Sequence, residues 1–157
     1  MAPLETPQAC SAMAPGEQLL IWSLQGWASA RMAGDAPHRP LGAVLTAKTS
    51  ARAAALFIAW IQAIEAASLR PIRAQCAHCG GASEDLQRLV AACGVAPVAL
   101  REGERLIEPL VSEPRSIMIL ARSLNDALFQ AGWPLPARLA PPVREAVDYP
   151  EQAPTMH

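Results

Sequence analysis

The stretch that decides the fold reads Ser50-Ala-Arg-Ala-Ala-Ala-Leu-Phe-Ile-Ala-Trp-Ile-Gln-Ala-Ile-Glu-Ala-Ala67. Almost every residue after Ser50 is apolar, and alanine favours helices that can pack closely. Thr49 or Ser50 supplies the hydroxyl of an N-cap. The sequence therefore predicts a long helix at about 50–67, roughly 27 Å in length. Because a helix without a polar face needs cover on all sides, we expect neighbouring helices or another subunit around it.

Two further long helices are predicted, one on each side of this helix in the chain. Near 16–32 the apolar side chains share one stripe, and Gly34 ends the helix. Near 113–131 a second stripe begins after a proline that is tolerated in a first turn, and Gly132 ends it. These two helices supply apolar faces that can cover the central one.

Shorter helical elements lie between the long helices. Ser83 is a predicted N-cap for a short helix at about 84–93, and Gly94 is the predicted cap at its end. Residues 41–48 predict a helical turn or a short helix, and residues 104–110 predict a turn of helix.

Two segments have an extended pattern. Residues 70–75 alternate weakly, and residues 96–100 contain Pro97, which would restrict a strand there to an edge. The predicted fold is therefore mainly α. It is a small helical bundle with three long helices, one short helix and at most a minor two-stranded β element.

The ends of the chain differ from its middle. We expect a disordered N-terminal segment at 1–14, a single helical domain at 15–140 and a proline-rich flexible tail at 141–157. Pro134-Leu-Pro136-Ala-Arg138 has two interpretations. It is either a polyproline ligand for a partner's groove or a segment that packs Trp133 and Leu135 back on the bundle, and the second is the simpler.

Composition and charge exclude several classes of function. Hydrophobic residues make up 52% of the 157-residue chain and the formal net charge is −1, which suits one globular domain. Arginine and glutamate are interspersed, so no clustered positive surface for nucleic acid is expected. The longest apolar run, 53–61, is shorter than the about 20 residues of a membrane span. The first residues lack the pattern of a signal peptide, so we expect a cytoplasmic protein.

The chemically informative motif is Cys76-Ala-His-Cys79-Gly-Gly. A Cys-x-x-Cys-Gly turn can direct two thiolates at one zinc ion, which needs four ligands. The possible further ligands are Cys93, His38 and Cys10, and a second copy of the chain could supply two more cysteines. Because Cys93 also completes the apolar stripe of the helix at 84–93, its other interpretation is a small hydrophobic core residue.

The same cysteines allow two other interpretations. One is a dithiol that cycles with a disulfide, as in redox enzymes and sensors, although the βαβ context of such enzymes is missing here. The other is a pair of reduced thiols in a glycine-rich turn without chemical work. Around this turn, Arg70 and Arg73 are predicted at a solvated edge, and Asp85 is predicted to act as a first-turn helix charge.

Part of the chain, residues 39–92, resembles a group of small uncharacterised bacterial helical proteins with a central cysteine cluster. The resemblance implies a helical domain and no activity, and the Gly80-Gly81 pair departs from the group's pattern. Its matching parts, besides a long helix, are Arg39-Pro40-Leu41, Arg70-Pro71-Ile72, Cys76 with Cys79, and Asp85-Leu86.

No nucleophile–base pattern or phosphate-binding loop occurs in the sequence. We therefore predict a non-enzymatic interaction or adaptor protein, with a protein partner or a second copy of itself. Its cysteine turn is either structural or holds zinc, which is the one cofactor considered. The alternative is a thiol–disulfide redox protein or sensor that uses Cys76 and Cys79. Trp22 and Trp27 cannot share one helix face, so one of them is expected at the surface.

Overall fold

The computed structural model describes residues 13–75 and 81–139. Six helices make up 68% of these residues, and the prediction of a mainly α helical bundle is confirmed. In chain order the helices are α1 (Pro15–Met32), α2 (His38–Lys48), α3 (Ala51–Ala67), α4 (Glu84–Val95), α5 (Leu100–Ile107) and α6 (Pro114–Gln130).

The helix α3 is buried along one side only, so the predicted cover on all sides is not found among the described helices. Its N-cap is Ser50, whose side chain accepts a hydrogen bond from the Ala53 amide at 3.0 Å. The inward side carries Phe57, Trp60 and Ile64, all buried, and it packs against α2 and α6. Burying a side chain of this size stabilises a fold by roughly 1.5–3 kcal/mol, so this face anchors the bundle.

A second layer is formed by α4 and α5 against α6. Apolar side chains on one stripe of α4 are buried, as the sequence pattern predicted: Leu86, Leu89, Val90 and Cys93. The buried amide of Asn125 on α6 donates to the Cys93 carbonyl at 2.8 Å. This bond fixes α6 to the C-terminal end of α4.

Several boundaries differ from the predicted ones. The helix α2 begins at His38, and α5 begins at Leu100, ahead of the predicted turn. Gly94 is not a cap, because α4 continues to Val95. The reason for the glycine at this position lies in a neighbouring segment and is described below.

The predicted strands are not formed as strands in the described residues. The prediction at 96–100 is wrong, since Val98 and Ala99 donate backbone hydrogen bonds to Val95 at 3.0 and 2.8 Å in a turn that leads into α5. At 70–75 only Gln75 pairs, in an isolated antiparallel bridge with Ala82.

An extended segment follows α6, and we call residues 133–139 the strap. Gly132 adopts φ +85° between α6 and the strap, a conformation that favours glycine. The strap then lies against the bundle, as the simpler interpretation of this segment predicted. Residues 1–12 and 140–157, which include most of both predicted disordered or flexible ends, lie outside the described residues.

None of the helices in the described part of the chain is both long and apolar enough to cross a membrane.

Candidate functional site

Two regions of the structure bear on function. The first flanks the cysteine motif, and we call its residues the cysteine anchor: Arg70, Arg73, Gln75, Ala82, Ser83 and Asp85. The second receives the strap, and we call it the strap groove: Gly16 and Glu17 of α1, Lys48 of α2 and Gly94 of α4.

The cysteine anchor joins the two ends of the segment that carries the motif. Gln75, directly before Cys76, pairs with Ala82, three positions after Cys79, in an antiparallel bridge. Such partners have Cα atoms about 4.5–5.5 Å apart. Cys76 and Cys79 themselves, like Cys10, lie outside the described residues, so their predicted roles stay predictions.

Ser83 fixes the start of α4 to this bridge. Its hydroxyl oxygen accepts the Leu86 amide at 3.2 Å, which confirms the predicted N-cap. The same hydroxyl donates a hydrogen bond to the Arg73 carbonyl. The residues before the cysteine motif are therefore fixed to the helix that follows it.

Asp85 makes the strongest contact of the anchor. Its two carboxylate oxygens accept from the Arg70 guanidinium at 2.7 and 2.8 Å, and one of them also accepts the Arg73 amide at 2.9 Å. The residue is only 5% exposed. The hydrogen bonds from Arg70 hold the pKa of Asp85 below its ordinary value, although burial acts in the opposite direction.

The sequence interpretation of these charges was incomplete. Asp85 is not just a helix charge, and Arg70 does not lie unengaged at a solvated edge, because the two form a bidentate pair. Glu84, by contrast, points to solvent and pairs with Arg88 at 3.1 Å. The sequence did carry a signal that Asp85 faces inward: it lies one turn before Leu89, on the apolar side of α4.

Cys93 is buried in the core and is not placed to act as a metal ligand. It is 0% exposed, and its Sγ donates to the Ala121 carbonyl on α6 at 3.5 Å. Burial raises the pKa of its thiol far above the ordinary value. Ten helical positions separate it from Ser83, about 15 Å along the axis. Its position on the apolar stripe correctly indicated a core residue.

His38 begins α2 and packs against aromatic and amide groups. Its ring meets the edge of Trp27 with centroids 4.9 Å apart. Its Nε2 lies 2.6 Å from the Gln62 Nε2, a contact in which the amide donates to the ring. Within residues 13–75 and 81–139 no three His, Cys, Asp or Glu side chains come together to hold a metal ion.

The strap groove is built by close approach of backbone to backbone. A Cβ atom added at Gly16 would lie 2.6 Å from the Pro134 carbonyl oxygen, and one at Gly94 would lie 2.5 Å from the Pro136 carbonyl oxygen. Any larger residue at either position would push the strap away. Gly94 therefore serves contact with the strap, which explains a glycine inside α4.

Polar contacts fix both ends of the strap. The Trp133 indole N–H donates to the Lys48 carbonyl at 3.0 Å. The Arg138 guanidinium donates to both carboxylate oxygens of Glu17, at 3.0 and 2.8 Å, and this raises the pKa of Arg138. Glu17 is only 7% exposed and also accepts the Ala14 amide at 2.9 Å, so it is held in place from both sides.

Exposed apolar residues complete the surface. Trp27 is 2% exposed and Trp22 is 47% exposed, which confirms that the two face in different directions. On α3 the outward side carries Ala55 and Ala66, both exposed. The helix α3 is thus covered by neighbours on its inward side. Its outward side exposes Arg52, Gln62 and Glu65 together with these alanines, so the expectation of a helix without a polar face is wrong.

Comparison of the chain with protein-family models, with curated proteins and with solved structures found no match. The resemblance of residues 39–92 to a bacterial group therefore stays a prediction.

Proposed function

We propose that the protein is a non-enzymatic interaction protein that binds an extended Pro-x-Pro-x-Arg segment in the strap groove and self-associates. The observation that supports this proposal is the strap itself, which fills the groove and ends in the pair of Arg138 with buried Glu17. The chain thus carries both a receptor surface and a segment that fits it.

The chemistry of the groove suits such a segment. Proline restricts a chain to extended conformations, so less conformational entropy is lost on binding. Gly16 and Gly94 admit backbone carbonyls that no other residue would admit. A carboxylate that accepts two parallel hydrogen bonds selects arginine over lysine, because only the guanidinium presents a planar pair of donors.

A synthetic peptide tests the proposal. The peptide Gly-Trp-Pro-Leu-Pro-Ala-Arg-Leu is labelled and titrated into the full chain carrying Arg138→Glu, in which the attached strap is weakened and Glu17 is intact. We expect saturable binding, and at least tenfold weaker binding to the unaltered chain, since a tethered strap competes at an effective concentration of roughly millimolar.

Two controls give the peptide experiment its specificity. The same peptide with glutamate in place of arginine should bind at least tenfold more weakly, because it lacks the guanidinium. Full chain with the exposed Arg52→Glu change, which breaks the surface pair with Asp126, should behave like the unaltered chain. Equal binding of both peptides would refute recognition by Glu17.

The outward side of α3 supports a contact with a second copy. Exposed Ala55 and Ala66 let another helix approach closely, and they lie on the helix with the largest share of apolar residues among the described ones. Ala55→Glu tests this contact, since a charge there should lower the dimer fraction measured by light scattering. An unchanged dimer fraction would remove α3 from the proposal.

The cysteine turn is proposed to be structural or to bind zinc through Cys76 and Cys79. The cysteine anchor supports this, because it brings both ends of the segment to one place at the start of α4. Two thiolates leave two ligands to be supplied, and the remaining candidates are His38, Cys10 or the cysteines of a second copy. Elemental analysis of the purified chain and of Cys76→Ser tests this: zinc that is lost in the variant supports the site.

The second candidate function is thiol–disulfide exchange by the same two cysteines. Arg73, three positions before Cys76 in the chain, favours it since positive charge stabilises a thiolate. Thiol titration separates the candidates. A thiol of lowered pKa that forms a reversible Cys76–Cys79 disulfide indicates exchange, and slow labelling with bound metal indicates zinc.

A further inference from the structure

We infer that the partner of the strap groove is a second copy of this chain, and that two copies exchange their straps. In the exchanged pair, Arg138 of each copy binds Glu17 of the other. This inference rests on the proposed function of the groove and names the molecule that fills it.

The connection between α6 and the strap permits the exchange. The end of α6 is complete before the strap begins, since Ala131 and Gly132 donate backbone hydrogen bonds to Ala127 and Phe129, both at 3.1 Å. One further bond, from the Trp133 amide to the Leu128 carbonyl at 2.8 Å, orients the first residue of the strap. Gly132 can leave φ +85° at little cost because it has no side chain. Rotation there redirects the strap without unwinding a helix.

The groove lies on elements that a second copy presents equally well. Apart from the Trp133 amide bond to Leu128, the strap contacts described above go to α1, α2 and α4 and not to α6, the helix from which the strap emerges. A strap arriving from another molecule therefore finds the same donors, acceptors and glycine positions. The exchange is reciprocal, so it closes a two-fold symmetric dimer instead of an open chain.

The balance between the two arrangements depends on concentration. The groove contacts are the same whether the strap comes from the same copy or from the other. The outcome is set by two concentrations: the effective concentration of the tethered strap at its own groove, and the concentration of other copies in solution. A monomer is expected at low concentration and an exchanged dimer at high concentration.

Charge reversal in two different copies tests the exchange. Glu17→Arg places arginine opposite arginine, and Arg138→Glu places glutamate opposite glutamate, so each variant alone repels its own strap. When the two are mixed, exchange pairs opposite charges at both grooves. We expect a one-to-one heterodimer in sedimentation, at least tenfold tighter than association of either variant alone. The double variant Glu17→Arg/Arg138→Glu, which restores the pair within one copy, is the matched control and should behave like the unaltered chain.

A measurement on the unaltered chain does not depend on the folding of a variant. Copies labelled with ¹⁵N are mixed with copies labelled with ¹³C at millimolar concentrations that reach the roughly millimolar effective concentration of the tethered strap. A Cβ at Gly16 would lie 3.1 Å from a Leu135 methyl, so exchange predicts an intermolecular NOE between the Gly16 amide and that methyl. Its absence, with the contact seen only within one copy, would overturn the inference.

The outcomes separate this inference from the function on which it rests. If the mixed variants stay monomeric while the peptide still binds the Arg138→Glu chain, the groove is a peptide site and a second copy is not its partner. If the peptide also fails to bind, both proposals are wrong. A dimer that persists in Glu17→Arg alone but is lost in Ala55→Glu would assign self-association to α3 and overturn strap exchange.

Discussion

Asp85 and Glu17 each lie in the first turn of a helix, are buried, and accept two hydrogen bonds from one arginine. They differ in the length of chain that separates the carboxylate from its arginine. Arg70 is 15 positions from Asp85, whereas Arg138 is 121 positions from Glu17. The Arg70–Asp85 pair joins the ends of a short loop. The bridge of Gln75 with Ala82 and the contacts of Ser83 also join this loop. The second pair holds a segment that is joined to the bundle through Gly132.

This comparison separates a fixed contact from a releasable one. At the cysteine anchor, the Arg73 amide and carbonyl are also engaged, by Asp85 and Ser83. Releasing Arg70 alone would leave those bonds in place. In the strap, the contacts of Arg138 and of the Trp133 indole lie near the two ends of an extended segment. The strap can leave its groove without the unwinding of a helix. Equal chemistry thus holds a short local loop in one place and, in our proposal, an exchangeable segment in the other.

The largest expected effect is that of Asp85→Asn. The change removes the charge and one of the acceptors that Arg70 and the Arg73 amide share. Because Arg70 is partly exposed, we expect a loss of about 2 kcal/mol in the free energy of unfolding, less than for a fully buried pair. Urea denaturation measures it. Glu84→Gln is the matched control and should cost less than about 0.5 kcal/mol.

The same pair predicts how stability depends on pH. The pKa of Asp85 is lowered in the folded protein, chiefly by hydrogen bonds from Arg70, so at acid pH the unfolded chain binds more protons at this group. Its stabilisation is fully present above the unfolded value of about 3.9 and is lost as the pH falls through the folded pKa. Urea denaturation of both proteins should show the Asp85→Asn deficit shrinking as the pH falls. A deficit that grows on acidification would contradict this assignment.

Two glycines inside helices are expected to respond in opposite directions to alanine. Gly94→Ala puts a Cβ 2.5 Å from the Pro136 oxygen, so it should displace the strap and cost about 1–2 kcal/mol. Gly26→Ala meets nothing nearer than a Leu41 methyl at 4.0 Å and should stabilise α1 by about 0.5–1 kcal/mol. Thermal unfolding measures both, and stabilisation by Gly94→Ala would mean that the strap is not seated there.

A smaller effect is the coupling between Glu17 and Arg138. A double-mutant cycle of Glu17→Gln and Arg138→Gln should give about 1 kcal/mol, since one partner is buried and the other is partly exposed. The surface pair of Arg31 with Glu65, in which both side chains are about two-fifths exposed, is the control and should couple by less than about 0.5 kcal/mol. Equal coupling in the two cycles would show that burial of Glu17 adds nothing.

The helices were predictable because their signals are local. Ser50 and Ser83 each accept an amide three residues on, and Gly132 has the positive φ expected of a helix end. The stripe on α4 placed Cys93 in the core. Caps and stripes depend only on residues within a few turns of each other.

The candidate sites were not predictable in the same way. The partner of Glu17 lies at the other end of the described chain, and no periodic pattern links the two. Gly94 looked like a helix cap because the strap that requires a glycine there is distant in sequence. The strand predicted at 96–100 does not form, because the Val95 carbonyl accepts hydrogen bonds from the turn that follows it. Within the described residues no partner strand lies alongside this segment.

Hydrogen exchange tests most directly the claim that the strap opens separately while the cysteine anchor stays closed. The two reporters are the Trp133 indole proton, bound to the Lys48 carbonyl, and the Arg73 amide proton, bound to Asp85. Opening of a local unit exchanges its own protons without global unfolding. We predict that Glu17→Gln accelerates exchange at the Trp133 indole and leaves the Arg73 amide unchanged. Equal acceleration at both protons would contradict the account.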